Sequence, residues 1–213
     1  LVALIGFGMA FFANHSKKYK QNIFWYFCLL AFTALIIFLP LLRYAIENPV
    51  MFGIRAFSRL TSIEKPLIKP ALEILIENLW NALTMFFYSN GEIWVHSIPN
   101  RPALDLITAV FFFIGLIVVI KKYMVYRRWE DLFLLALIPL LMLPSILSLA
   151  FPRENPCLNR TSAAIIPVFI LAGSGLVYCY KKISSTLKNG FQRWIFIFCT
   201  GFLLLLTCSL NFQ

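Results

Sequence analysis

The sequence predicts an all-α integral membrane protein of about five and a half transmembrane helices, and three observations carry that prediction. Apolar runs long enough to span a bilayer recur along the chain, and basic residues fall in short clusters between alternate runs. Hydrophobic residues make up 61% of the chain and charged residues 13%, where a soluble domain carries roughly 45–50% and about 25%. With a mean hydropathy of +0.81, lipid rather than water is the expected main solvent.

The first run, residues 1–13, is shorter than the about 20 residues a spanning helix needs. No basic region precedes its apolar core and no A-x-A cleavage pattern follows it. It is therefore expected to be the tail of a helix that starts upstream, which makes 1–213 one transmembrane domain within a longer chain. Full spans are expected at 23–42, 103–120, 131–151, 161–180 and 194–210.

The loops fix their direction. Loop 14–22 carries Lys17, Lys18 and Lys20; loop 121–130 carries Lys121, Lys122, Arg127 and Arg128; loop 181–193 carries Lys181, Lys182, Lys188 and Arg193. Together they hold 11 of the 19 basic residues, against only Glu130 and Asp131. The positive-inside rule makes these three loops cytoplasmic, so the chain is expected to be a multi-pass protein of the inner (plasma) membrane. Because the cations are not gathered on one soluble face, the net charge of +10 does not read as a nucleic-acid footprint.

Residues 71–90 test this topology, since a span there would turn the 121–130 cluster outward. Glu73, Glu77, Asn81, Thr84 and Tyr88 recur every three or four positions and draw one narrow polar stripe on an otherwise apolar helix. The segment is expected to lie in the outer interface, with Pro70 at its start, where a missing N–H costs little. The extracytoplasmic loop 43–102 is then the one sizeable extramembrane segment, and long loops of that kind are commonly functional or disordered. Its apolar content argues against disorder.

Pro40, Pro139, Pro144 and Pro167 fall in or near spans, as broken helices lining protein or a groove, or as plain packing kinks. Gly6 with Gly8, and Gly173 with Gly175, are small-residue pairs suited to close helix contact. Cys28, Cys157, Cys179, Cys199 and Cys208 show no C-x-x-C spacing, so neither a zinc site nor a disulfide framework is expected. No nucleotide loop, nucleophile elbow or paired catalytic carboxylate occurs; no cofactor is identified and no ligand set supports a divalent metal.

Candidate binding residues lie on the outer side: Arg55, Arg59, His96, Arg101 and Arg160, with Arg153 and Glu154 beside the last. Arginine suits a lipid-linked phosphate because its planar fork matches two oxygens and keeps its charge. Arg55 and Arg59 equally fit one solvated helix face against lipid headgroups. His96 reads first as a loop histidine bonded to backbone, ahead of a ligand or base. Asp105, three residues after Pro102, is expected in the first turn of a span, where the helix dipole and Arg101 favour an acid. Asn159-Arg160-Thr161 matches a glycosylation sequon, a short pattern of low specificity.

Three stretches carry a family resemblance. They are Leu41-Leu42-Arg43-Tyr44 with Asn48-Pro49 and Arg55; Gly91-Glu92 through His96, Pro99, Arg101-Pro102 and Leu104-Asp105; and Arg153-Glu154-Asn155-Pro156 with Arg160 and Ile166-Pro167. In this order the chain resembles the C-terminal half of bacterial membrane glycosyltransferases of the protein mannosyltransferase-like group, which have the GT-C fold. Glu92, Val95, Ser97 and Asn100 depart from the family's middle pattern of Gly-Asp, Arg-His-Asn, Pro-Gly-x-Pro and Leu-Asp.

The resemblance implies transfer of a sugar from a polyprenyl-phosphate donor to an acceptor at the outer face, usually with inversion. It places the catalytic base in a first outer loop before Leu1, so no catalytic residue is expected in this chain. Arg55, Arg101 and Arg160 would contact donor phosphate, His96 would be a polar contact, and helix 71–90 would wall the lipid entrance. Two other classes stay open: a transporter or flippase fragment, against which the charge-free span centres speak, and a non-catalytic membrane subunit whose outer loop binds a partner.

Overall fold

The structure, a computed structural model, describes residues 1–14, 16–58, 65–95, 97–186, 194–195, 198–202 and 205. Among the described residues the chain is helical and has no strand. Helix α1 covers Val2–Ala13, α2 Lys17–Glu47, α3 Pro49–Phe57, α4 Ala71–Thr84, α5 Leu106–Tyr126, α6 Trp129–Ile146, α7 Leu158–Thr161 and α8 Ile165–Thr186. Four helical stretches are long and apolar enough to cross a membrane: Lys17–Glu47, Leu106–Tyr126, Trp129–Ile146 and Leu158–Ser185. The chain is thus a multi-pass, all-α membrane protein in composition and architecture. The span expected at 194–210 and the basic residues Lys188 and Arg193 fall largely outside the described residues.

The helices overrun the apolar runs that announced them. Helix α2 starts at Lys17 and passes Pro40 to reach Glu47, and α5 continues past Lys121 and Lys122 to Tyr126. Lysine stems lie along apolar surface with the ammonium in water, so a helix does not stop where its hydropathy does. In the other direction, α6 ends at Ile146 rather than 151, and α4 ends at Thr84 rather than 90.

Specific side chains set other boundaries. Asp105 is the N-cap of α5, one step before the first turn: its Oδ1 accepts from the backbone N–H groups of Ile107 at 3.1 Å and Thr108 at 3.0 Å. Two of the donors left open at a helix start are thereby satisfied. At the far end Arg127 takes a left-handed conformation, φ 52°, and its N–H returns to the Tyr123 carbonyl at 2.8 Å. That geometry closes α5 and lets α6 turn back at once as the second arm of a hairpin. Lys122 reaches Asp131 across the hairpin at 3.1 Å.

Helices α5 and α8 form the centre of the bundle, where Phe112, Val119, Val168 and Leu171 are buried with Ile138 and Met142 of α6. A Cβ on Gly115 would lie 1.8 Å from the Leu171 carbonyl oxygen, and one on Gly175 2.1 Å from that of Phe111. The two backbones therefore touch, which only glycine permits. They run in the same direction, since Leu158 lies beside Ala103 at one end and Tyr178 beside Lys121 at the other. On the outside, α1 packs on α6 through Gly6 against Phe133 and on α2 through stacked Phe7 and Phe27, while α2 buries no residue.

Candidate functional site

The end of the bundle away from the Lys/Arg clusters is built around α4. Ile74, Asn78 and Ala82 recur at helical spacing as its buried face, and Met85 and Phe86 continue it into the core. Beyond α4 the backbone ties to the start of α5, with Ala103 N–H donating to the Met85 carbonyl at 2.9 Å and Leu104 to Phe86 at 3.2 Å. The loop between is cinched at its neck: Asn90 N–H donates to the Arg101 carbonyl and Asn100 N–H to the Gly91 carbonyl, both at 2.9 Å.

A buried polar knot holds this assembly to the end of α6. Asn78 Nδ2 donates to the Ile146 carbonyl at 2.9 Å, capping the buried C-terminal end of α6, and Asn155 Nδ2 donates to the Asn78 carbonyl at 2.8 Å. Ser145 Oγ donates to Asn155 Oδ1 at 2.7 Å and accepts from the Cys157 N–H at 3.2 Å. Each of these buried groups has a partner, so the knot is rigid rather than costly. The Asn155-Pro156 peptide bond is cis. Gly91, at φ +107°, fits against it: a Cβ there would lie 2.6 Å from the Pro156 carbonyl oxygen.

Above the knot opens a groove of about 930 Å³. One wall is the polar stripe of α4, namely Glu77, Asn81 and Thr84, extended by Tyr88. The other is the neck of the loop, with Glu92 and Asn100, and the turn that carries Pro152, Arg153 and Asn155. Four of the five stripe residues legible in the sequence thus line a groove. Glu73 does not line it; it pairs with Lys69 at 3.1 Å, and Lys69 also reaches Glu77 at 2.5 Å. The hydrogen bond that Lys69 donates to Glu77, then that to Glu73, stabilises its ammonium form and raises its pKa above the usual 10.5. The groove therefore presents amides, hydroxyls, two carboxylates and one guanidinium, a set that answers the hydroxyls of a polyhydroxylated ligand.

The expected site residues divide. Arg160 is half-buried and already engaged: one guanidinium nitrogen donates to Ser148 Oγ at 2.9 Å and the other pairs with Glu154. Arg101 lies in a separate recess of about 240 Å³ with Asn90, Ser97 and Asp105. There, among the described residues, Asn90 Oδ1 is buried without a hydrogen-bond partner. Arg55 belongs to α3, with its side chain outside the described part, and Arg59 and His96 lie outside the described residues.

Sequence reasoning missed Asn78 and Ser145 and did not select Glu77 or Glu92 as ligand contacts; it set Arg153 beside Arg160 at the outer side and met Asn155 only within the Arg153–Pro156 stretch, without its structural role. Asn78 is one position after the stripe residue Glu77, so only its long-range partners distinguish it. Among the described residues no group of three His, Cys, Asp or Glu is placed to hold a metal. No family model, curated protein or solved structure matches this chain.

Proposed function

We propose that this chain is part of a polyprenyl-phosphate-sugar-dependent glycosyltransferase that moves a sugar onto an acceptor at the membrane face opposite the basic loops. The observation that carries the reading is the polar groove between α4 and the Pro152–Asn155 turn, at the mouth of a bundle otherwise clad in exposed apolar side chains. A ligand with a sugar at one end and a polyprenyl chain at the other needs that juxtaposition. Asn81, Asn100, Glu77 and Glu92 supply acceptors and donors for sugar hydroxyls.

Arg153 stands in the groove wall, exposed, and supplies a fixed cation for the phosphate on which charge grows as the sugar leaves. Arg101 flanks the same loop neck, and Arg55, Arg59 and His96 belong to the same outer segment of the sequence. Arg160 acts through Ser148 and Glu154 to position the turn that bears Arg153. The family resemblance of the Arg153-Glu154-Asn155-Pro156 stretch supports the assignment, and with it a GT-C-like arrangement of the helices.

The test is equilibrium binding of a polyprenyl-phosphate-linked sugar to the purified protein in nanodiscs, against the same polyprenyl phosphate without sugar. Tighter binding of the sugar-bearing lipid, weakened by Arg153→Ala and by Asn81→Ala, is the expected result. Equal binding of both lipids, unaffected by either substitution, would leave the groove without a sugar to hold.

A further inference from the structure

The opposite end of the bundle carries a second, chemically different cleft. Beside the contact of Gly115 with Gly175, a cleft on the surface of α5 and α8 is lined by Ile114, Ile117 and Val118, then by Lys121 and Tyr178. Its volume is about 260 Å³. Ile117 is 50% exposed and Tyr178 47%, so the apolar part opens sideways from the bundle. Lys121 lies six positions past Gly115, about 9 Å further along the helix.

Charge at this end is unevenly neutralised. Lys122 is taken by Asp131 and Arg128 pairs with Glu130 at 3.6 Å. Lys121 and Lys181 have no carboxylate partner among the described residues, and the Tyr178 hydroxyl makes no hydrogen bond there. Tyr178 and Lys181 are three residues apart on α8 and share a face. Lys181 lies six positions past Gly175, as Lys121 lies six past Gly115, so with the helices parallel and the two glycines in contact the lysines stand at similar depth along the bundle.

We propose that this cleft binds one anionic phospholipid of the leaflet on the basic side, with an acyl segment against Ile114, Ile117 and Val118 and its phosphate between Lys121, Lys181 and Tyr178. A soluble anion would have no use for the apolar walls, and a zwitterionic lipid would leave the two ammonium groups unanswered. Apolar wall, hydroxyl and paired lysines follow one another in the order in which a phospholipid presents tail, ester region and phosphate. The site is independent of the outer groove and of the glycosyltransferase reading.

The experiment uses the purified full chain in phosphatidylcholine nanodiscs doped with phosphatidylglycerol bearing a photoactivatable acyl chain, with labelled residues mapped by mass spectrometry. Labelling is expected at Ile117, Val118 and Tyr178, competed by unlabelled phosphatidylglycerol and not by phosphatidylcholine. Lys121→Gln or Lys181→Gln should each lower it about fivefold, the worth of one surface lysine against an anionic leaflet. Lys17→Gln should leave it unchanged. Val118→Trp, which fills the cleft while keeping both charges, should abolish it and guards against a lysine variant that misfolds. Equal labelling by a phosphatidylcholine probe, or labelling that spares these three residues, overturns the proposal.

Discussion

Asn155 Nδ2 donates to the backbone carbonyl of Asn78 at 2.8 Å, across 77 residues of sequence. This bond fixes the distance between the two walls of the outer groove. Together with Asn78 Nδ2 on the Ile146 carbonyl, it makes the groove a property of the scaffold.

Replacing Asn78 with Ala leaves the Ile146 carbonyl unpaired in a buried position. The expected loss is about 1–3 kcal/mol of stability, read as a lower unfolding midpoint in detergent. Asn81→Ala, one turn away on the exposed stripe, should leave that midpoint unchanged and weaken sugar-lipid binding.

The two arginines of the Arg153–Arg160 segment should separate in the same way. Arg160→Ala strips Ser148 and Glu154 of their half-buried partner and should cost about 1–3 kcal/mol of stability. Arg153→Ala should leave stability intact and weaken donor binding about tenfold or more, the worth of a hydrogen bond to a charged group. Parallel thermal unfolding and binding titrations on both variants check the division. An Arg160→Ala protein with native stability and lost binding would reverse the two roles.

Much of this end of the molecule is legible in the sequence. Glu77, Asn81, Thr84 and Tyr88 stand out because a polar residue every third or fourth position on an apolar background has no core-packing explanation. Arg160 is legible as a charge at the mouth of a span, but its engagement with Ser148 is not, since nothing local couples positions twelve apart through a turn. The glycines show the same limit. Gly6 and Gly175 make close contacts, whereas Gly8 and Gly173 meet nothing within 4 Å, and Gly115, which no small-residue pairing marks, is the partner of Gly175. Spacing identifies a small residue; only the facing helix makes it necessary.

Gly115→Ala is therefore expected to be disproportionately damaging. A Cβ 1.8 Å from the Leu171 carbonyl forces α5 and α8 apart, at about 1–3 kcal/mol or more for overpacking. Gly173→Ala, with open space around it, serves as the control and should be neutral. Thermal unfolding of the two variants side by side reads the difference.

Gly91→Ala combines a left-handed backbone with a clash, since its Cβ would meet the Pro156 carbonyl oxygen at 2.6 Å. Moving the loop neck off that carbonyl shifts Glu92 and Asn100 in the groove wall. The expected result is a stability loss of about 1–3 kcal/mol together with weakened sugar-lipid binding. Loss of stability with unchanged binding would detach the loop neck from the site.

The account turns on what occupies the groove between α4 and the Pro152–Asn155 turn. The most direct test is photo-crosslinking with a polyprenyl-phosphate sugar whose reactive group sits on the sugar ring, followed by peptide mapping. The account predicts adducts on Asn81, Tyr88, Glu92 or Asn100, reduced by excess unlabelled donor and by Arg153→Ala. Adducts spread along the lipid-facing surfaces of α2 and α5, with none in the groove, would contradict it.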